Sequence, residues 1–247
     1  MIDLEGLSEE PYLSILCYPR SSKAELKVRL MELRKLRVKA LEFSGEKQAF
    51  NIPVLGKGCV GIVVIAHING EKAALKVRRV DADRSRMQRE AEMLKKANSA
   101  DVGPRLLGVS KNFLLMQFID GDLLPKWLEK RKEKAQVRKV LRDVLEQCWR
   151  LDEAGLDHGE LSYAPKHIIL DQKDEPFIVD FETASVNRKP SNVTSICQFL
   201  FISGAVADEV AVALGGKDKK AIIDTLRDYK NCKTRENFGN VLRACGL

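Results

Sequence analysis

Residues 55–64, LGKGCVGIVV, set out Gly56-x-Gly58-x-x-Gly61-x-Val63. The meaning of that spacing depends on what flanks it. A glycine run that opens a helix marks a dinucleotide-binding turn, whereas here β-branched runs stand on both sides and place the glycines in a hairpin. Glycine lets a backbone approach phosphate oxygens and aim N–H groups at them. A plain glycine-rich hairpin has the same spelling, so the neighbouring elements must decide.

Working outward, residues 50–55 and 62–68 read as strands, and Asn69-Gly70 as the two-residue turn into a strand over 72–79. A helix over 85–97 follows, then short strands over 105–109 and 112–118. Upstream, Ser22-Lys-Ala-Glu25 is a capping box that opens a helix with apolar positions Leu26, Leu30, Leu33, Leu36 and Ala40. Downstream, Val137, Val140, Leu141, Val144, Leu145, Cys148, Trp149 and Leu151 mark one long helix ending before Gly155. Short strands over 167–170 and 176–180 come next. Asn192 is placed to cap a helix from 193, and the last forty residues read as helical.

Composition bounds the class. At 247 residues, 45% hydrophobic and 31% charged, the chain is expected to form one large or two small soluble domains. The uncharged stretch 193–207 is shorter and more polar than the roughly 20 apolar residues a bilayer needs, so no membrane association is expected. An acidic start (Asp3, Glu5, Glu9, Glu10) is unlike a secretory leader, and a cytoplasmic protein is the expectation. The six cysteines form no CxxC pair and the three histidines no i,i+4 pair, so neither a disulfide framework nor a zinc site follows. Segment 20–47 carries nine basic residues against four acidic ones. Such a stretch is either a solvated helix face or a surface that attracts nucleotide or RNA.

Six residue groups, the glycines included, carry chemistry. Beside the glycines, Lys76 stands twenty residues after Gly56 on the next strand. A strand-terminal lysine alone is usually a surface charge. Glu90 shares a helix face with Met87 and Leu94, which should turn it toward the sheet. Met116, Gln117 and Phe118 close an apolar strand that would suit a purine, or simply a core. Asp180 ends the strand in FIVDFE, where a carboxylate suits a hard cation or caps a turn. The stretch 156–170, LDHGELSYAPKHIIL, adds Glu160 and His167.

In this order, on these elements, the groups resemble the protein-kinase-like superfamily from about residue 50 to 203. They are similar in particular to the compact, mostly archaeal branch that includes RIO-type kinases and the small kinase of the KEOPS complex. DHGELS…KHIIL and DFETAS…RKPSNVTSI look like an archaeal family of predicted serine/threonine protein kinases. The resemblance implies an α+β, bilobal fold: a five-stranded antiparallel N-lobe sheet with one helix over 49–119, a reduced, mainly helical C-lobe over 120–247, and a basic helical extension over 1–48. It also implies binding of ATP and Mg²⁺ and transfer of the γ-phosphate to a hydroxyl of a protein acceptor or of the chain itself. In that layout Gly56, Gly58, Gly61 and Val63 cover the phosphates, Lys76 paired with Glu90 reaches the α/β-phosphates, and Met116, Gln117 and Phe118 meet the adenine. Asp180 holds the metal and Glu160 orients the acceptor hydroxyl.

The chain departs from that pattern at four places. Glu160 stands where the family has aspartate, one methylene longer, a displacement of roughly 1 Å. His167 replaces the asparagine that helps hold magnesium, and imidazole is a poor ligand for that ion; contact with phosphate is its other expected role. Two extra residues separate the two. Glu182 stands where a glycine hinge is usual. Lys166 is placed to act as the lysine that often follows the catalytic acid. Only 65 residues follow Glu182, without an Ala-Pro-Glu motif, which leaves no room for extended-peptide recognition. Arg188, Lys189 and Ser191 form a basic segment suited to an acidic acceptor. Two other readings stay open at this point: an ATP-binding scaffold without turnover, and an RNA- or ribosome-associated factor that uses the basic N-terminal helix.

Overall fold

The computed structural model describes residues 1–20, 22–83, 85–130, 133–216 and 218–247. The chain divides into two units, Met1–Lys95 with Pro104–Phe118, and Lys96–Gly103 with Ile119–Leu247.

The first unit begins with β1 (Ile2–Asp3), the short α1 (Tyr12–Leu16) and α2 (Lys23–Lys35). The Ser22 side chain accepts from the Glu25 N–H, as the capping-box spelling requires. There follow β2 (Ala40–Glu42), β3 (Lys47–Ala49), β4 (Ile52–Val54), β5 (Gly56–Lys57), β6 (Gly61–Ile68), β7 (Glu71–Arg78), α3 (Arg86–Asn98), β8 (Leu106–Val109) and β9 (Phe113–Gln117). Asn69 and Gly70 take φ of 51° and 87°, the left-handed pair that the β6–β7 turn demands.

The main sheet has seven strands, in the order β1-β2-β6-β7-β9-β8 with β5 also on β6, rather than the five expected. The two additional edge strands come from residues 1–48, which lie in the same unit as the sheet. Helix α2 stops at Lys35, and Arg37 at φ 61° turns the chain so that Ala40 enters β2 instead of extending the helix. Phe50 is likewise not a strand residue. It and Asn51 take φ of 48° and 61° in the two-residue turn between β3 and β4.

Alternation along the strands decides what faces what. Ile62, Val64 and Ala66 of β6, Ala73, Leu75 and Val77 of β7, and Phe113 and Leu115 of β9 bury one face against Leu7, Ile15, Leu16, Leu26 and Leu33 of the N-terminal segment. The opposite face brings Leu114 against Met87 and Ala91 of α3. Lys76 lies between Leu75 and Val77 in the alternation, so it points to the α3 side.

Of the nine basic residues in segment 20–47, eight are exposed, and Arg29 is fully buried. Its guanidinium donates to Glu25 Oε1, to the carbonyls of Leu16 and Arg78, and to Asn112 Oδ1. Asn112 Oδ1 also accepts from buried Arg78, while Asn112 N–H and Nδ2 donate to Glu32. This one basic residue is therefore a rivet between α2 and the sheet and no part of the solvated face.

The second unit contains β10 (Gly121–Leu123), α4 (Leu124–Lys130), α5 (Lys134–Glu153), β11 (Ile168–Asp171), β12 (Pro176–Ile178), α6 (Asn192–Cys197) running into one π-helical turn, α7 (Ala205–Leu214), α8 (Lys219–Asn231) and α9 (Arg235–Cys245). β10 is a strand where only helix was expected. It pairs antiparallel with β11, which pairs with β12. The predicted apolar stripe of α5 is buried throughout, and the helix ends where Leu156 N–H reaches back to Leu151 O past Gly155 at φ 67°. Trp149 of α5 stacks on Phe238 of α9, and the Tyr229 hydroxyl of α8 donates to Asp152 of α5 at 2.8 Å. Among the described residues no single helix is long and apolar enough to cross a membrane.

Candidate active site

In the first unit the glycine stretch is the β5–β6 hairpin, with Gly56 opposite Val63 and the Gly58 N–H donating to Gly61 O at 2.8 Å. A Cβ on Gly61 would stand 2.6 Å from Val77 O, so side-chain-free backbone is what lets β6 lie on β7 here. Gly58 has no such constraint, its nearest neighbour being Gly61 O at 3.8 Å. The tip is anchored by a residue that sequence reasoning passed over. Val60 is buried against Met87 and Ala91, and its carbonyl accepts from the Arg79 N–H. Only its β-branched apolar character between two glycines could have signalled this.

Lys76 lies opposite Val63 in the β6–β7 register. Its ammonium donates to both carboxylate oxygens of Glu90, at 2.9 and 2.8 Å. The two residues are 6% and 3% exposed, so the pair is nearly dry. Met87 and Leu94 flank Glu90 on the same face of α3 and are buried, as the i,i+3,i+4 spacing predicts. Met116 and Gln117 are half-buried at the end of β9. The Gln117 N–H donates to Arg105 O, and its side-chain oxygen accepts from the Arg105 N–H. Phe118 follows directly, past the end of the strand.

In the second unit the chain leaves α5 and runs through Asp157, His158 and Glu160, while the segment after β12 supplies Asp180. Asp157 and Ser185 form a two-way backbone bridge. The Asp157 carboxylate accepts from Arg188 Nε at 2.8 Å and from the Ser191 N–H at 3.1 Å. Arg188 and Ser191, expected to greet an acidic acceptor, are therefore engaged in holding the loop; Lys189 is exposed. Asn192 does not cap its helix. It is buried, its side-chain oxygen accepting from the His158 N–H while its amide donates to Asp152 and to Leu156 O. Asp152 and Asp157 were missed in the sequence because each looks like an ordinary helix-end or loop carboxylate.

His167 N–H donates to Ala164 O, and its carbonyl accepts from Val179 N–H, so the residue sits at the head of the β11–β12 pair. Its Nε2 lies 2.8 Å from Glu160 Oε2 and 3.9 Å from Asp180 Oδ2. Asp180 itself has φ 69°, an uncommon backbone state for a residue with a side chain. Lys166 Nζ is 3.9 Å from Asp180 Oδ2 on a largely exposed side chain. His158 packs edge-on against both His167 and Phe181. Burial, and next the neighbouring His167, push the His158 imidazole down to about 4. Burial lowers His167 as well, against the pull of Asp180. Both rings are neutral at pH 7.

Glu160, His167 and Asp180 bring their donor atoms within 4.8 Å of one another, the spacing of ligands on one cation. The set fits magnesium poorly. Mg²⁺ takes a near-ideal octahedron of oxygens, and an imidazole nitrogen at its centre is the wrong donor. The arrangement provides a buried cation–carboxylate pair in one unit, and in the other a neutral imidazole with two carboxylates on a loop held by its own hydrogen bonds.

With this geometry in hand, comparison with known proteins is specific. The RIO domain family model matches residues 64–196, more than half of the chain. An uncharacterized protein of Methanocaldococcus jannaschii is 29% identical over 117 residues, which is 47% of this chain and 98% of that protein.

Proposed function

The chain belongs to the RIO domain family, and from that premise we propose that it is an ATP-dependent phosphotransferase of the atypical serine/threonine kinase type, acting on a hydroxyl of a protein acceptor or of itself. The observation that carries the proposal is the Lys76–Glu90 pair, a nearly dry, two-point contact. Phosphoryl transfer needs little covalent chemistry from a protein. It needs fixed positive charge at the phosphates and a fixed acceptor. Glu90 orients the Lys76 ammonium, and the hairpin from Gly56 to Val63 supplies backbone N–H groups to phosphate oxygens. Met116, Gln117 and Phe118 form the apolar end for the adenine. Glu160, 37% exposed at its side chain, orients the acceptor hydroxyl. Asp180 would hold a divalent cation, which would supply the positive charge that shields the phosphates. His167, already drawn toward Glu160, limits how far that longer carboxylate can swing.

The experiment is incubation of the full chain with γ-labelled ATP and cell extract. Labelled bands are expected with the native sequence and should vanish in Asp180→Ala. Label that persists in that variant refutes the assignment. A chain that binds ATP without any labelling would instead be the ATP-binding scaffold.

A second role rests on a separate observation. Arg34, Lys35 and Arg37 are exposed, with Lys35 and Arg37 lining a groove of about 390 Å³. We propose that this surface contacts RNA, as a ribosome-associated factor would. Binding should then weaken steeply with salt and fall on reversal of all three charges. Unchanged binding after the reversals would exclude it.

A further inference from the structure

His167 is 1% exposed, and neither ring nitrogen has a hydrogen-bond partner among the described residues. Burying such a group unbonded is unfavourable, so packing alone does not account for it. Its Nε2 faces the Glu160 and Asp180 carboxylates, yet even the 2.8 Å approach to Glu160 is not aligned as a hydrogen bond. Three electron-rich atoms thus converge from separate stretches of chain with no hydrogen bond from either ring nitrogen of His167, while the Lys166 ammonium, on a largely exposed side chain, lies 3.9 Å from Asp180 Oδ2. A cation is the species that such a convergence favours.

We infer that Glu160, His167 and Asp180 bind a borderline divalent first-row metal ion, of the Mn²⁺ to Zn²⁺ class, in preference to Mg²⁺. Two donors on one ion with bonds of about 2.1 Å stand roughly 3–4 Å apart. Of the two distances from Nε2, 3.9 Å lies inside that range and 2.8 Å just below it. One imidazole nitrogen with carboxylate oxygens is a donor set for Mn²⁺, Fe²⁺, Co²⁺ or Zn²⁺, whereas Mg²⁺ selects oxygen alone. Ligation through Glu160 Oε2 leaves Oε1 to meet an acceptor hydroxyl. The inference concerns residues of the proposed phosphotransferase but stands on the donor set alone. Ion binding is therefore read without nucleotide: a chain that holds Mn²⁺ but transfers no phosphate would overturn the function and leave the site standing.

The test uses the full chain, stripped with chelator and titrated with Mn²⁺ alone. Pulsed electron paramagnetic resonance of the bound ion is expected to show coupling to an imidazole nitrogen. Mg²⁺ is expected to displace the ion only at about tenfold or greater excess. His167→Asn, which substitutes an amide oxygen, should abolish the nitrogen coupling and narrow the preference for Mn²⁺. Glu160→Gln and Asp180→Asn, both at partly exposed side chains, should each weaken Mn²⁺ binding by about tenfold or more while the metal-free melting temperature holds. These two variants keep the test decisive should His167→Asn fail to fold. Bound Mn²⁺ without nitrogen coupling, displacement by equimolar Mg²⁺, or unweakened binding in both carboxylate variants would overturn the inference.

Discussion

Cutting the Lys76–Glu90 pair from one side should destabilise the first unit far more than removing it whole. The ammonium makes two charge-assisted hydrogen bonds, at 2.9 and 2.8 Å, inside a site where both residues are almost fully buried. Deleting one partner of such a pair removes both hydrogen bonds and the facing charge from the buried group left behind, a loss of about 3–5 kcal/mol, whereas an apolar pair of similar volume is close to neutral. Lys76→Met should therefore lose about 3–5 kcal/mol. Glu90→Leu should fall at the low end of that range, because the lysine stem can carry its charge toward water. Lys76→Met with Glu90→Leu should return to within about 1 kcal/mol of the native chain, giving a coupling energy of about 3 kcal/mol or more. The measurement is urea unfolding of all four proteins, followed by far-ultraviolet circular dichroism. Tryptophan fluorescence would miss the effect, since Trp127 and Trp149 both belong to the second unit. Additive losses in the double variant would refute the account of the pair as a dry, coupled contact. Phosphate transfer should stay absent in the stable double variant, which separates the chemical role of the pair from its structural one.

Two further outcomes follow from the geometry. Gly61→Ala should destabilise the protein by about 1–3 kcal/mol, because its Cβ meets Val77 O at 2.6 Å, while Gly58→Ala should change the unfolding midpoint little; equal effects would contradict the packing described. Burial, with the Asp152 charge added, holds the Tyr229 phenol well above its ordinary value of 10. Its folded pKa is raised, so its contribution is whole below pH 10 and is lost as pH rises further, where the unfolded chain alone releases the proton. Tyr229→Phe should be less stable by ~1–3 kcal/mol at pH 8, and its stability should decline less steeply above pH 10 than that of the native chain; parallel declines in urea midpoint would refute this.

The parts of the fold legible in the sequence were those with local causes. The Ser22 cap, the Asn69-Gly70 turn, the α5 stripe and the face shared by Met87, Glu90 and Leu94 each follow from neighbours within one or two turns of chain. The edge strands β1 and β2 were not legible. Two and three residues carry no periodicity, and their strand state comes from pairing with β6 and with each other. Phe50-Asn51 lacks the usual glycine of a left-handed turn, so it read as strand. The same divide runs through the site. Motif spacing brought forward Lys76, Glu90, Glu160, His167 and Asp180. The roles of Val60, Arg29, Asp152, Asp157 and Asn192 were not legible, because they exist only through partners distant in sequence.

The Asp157 carboxylate has a consequence for control. It holds Arg188 Nε and the Ser191 N–H, its backbone is bridged to Ser185, and the Thr183 hydroxyl donates to His158 O. The chain after Asp180 is thereby stitched to the chain before Glu160 at several successive points. The Ser191 hydroxyl stands 3.4 Å from Asp157 Oδ1, so a phosphate added there would meet a like charge and tear the stitching instead of tightening it. A phosphate on Ser191 would therefore loosen the join between these two stretches of chain.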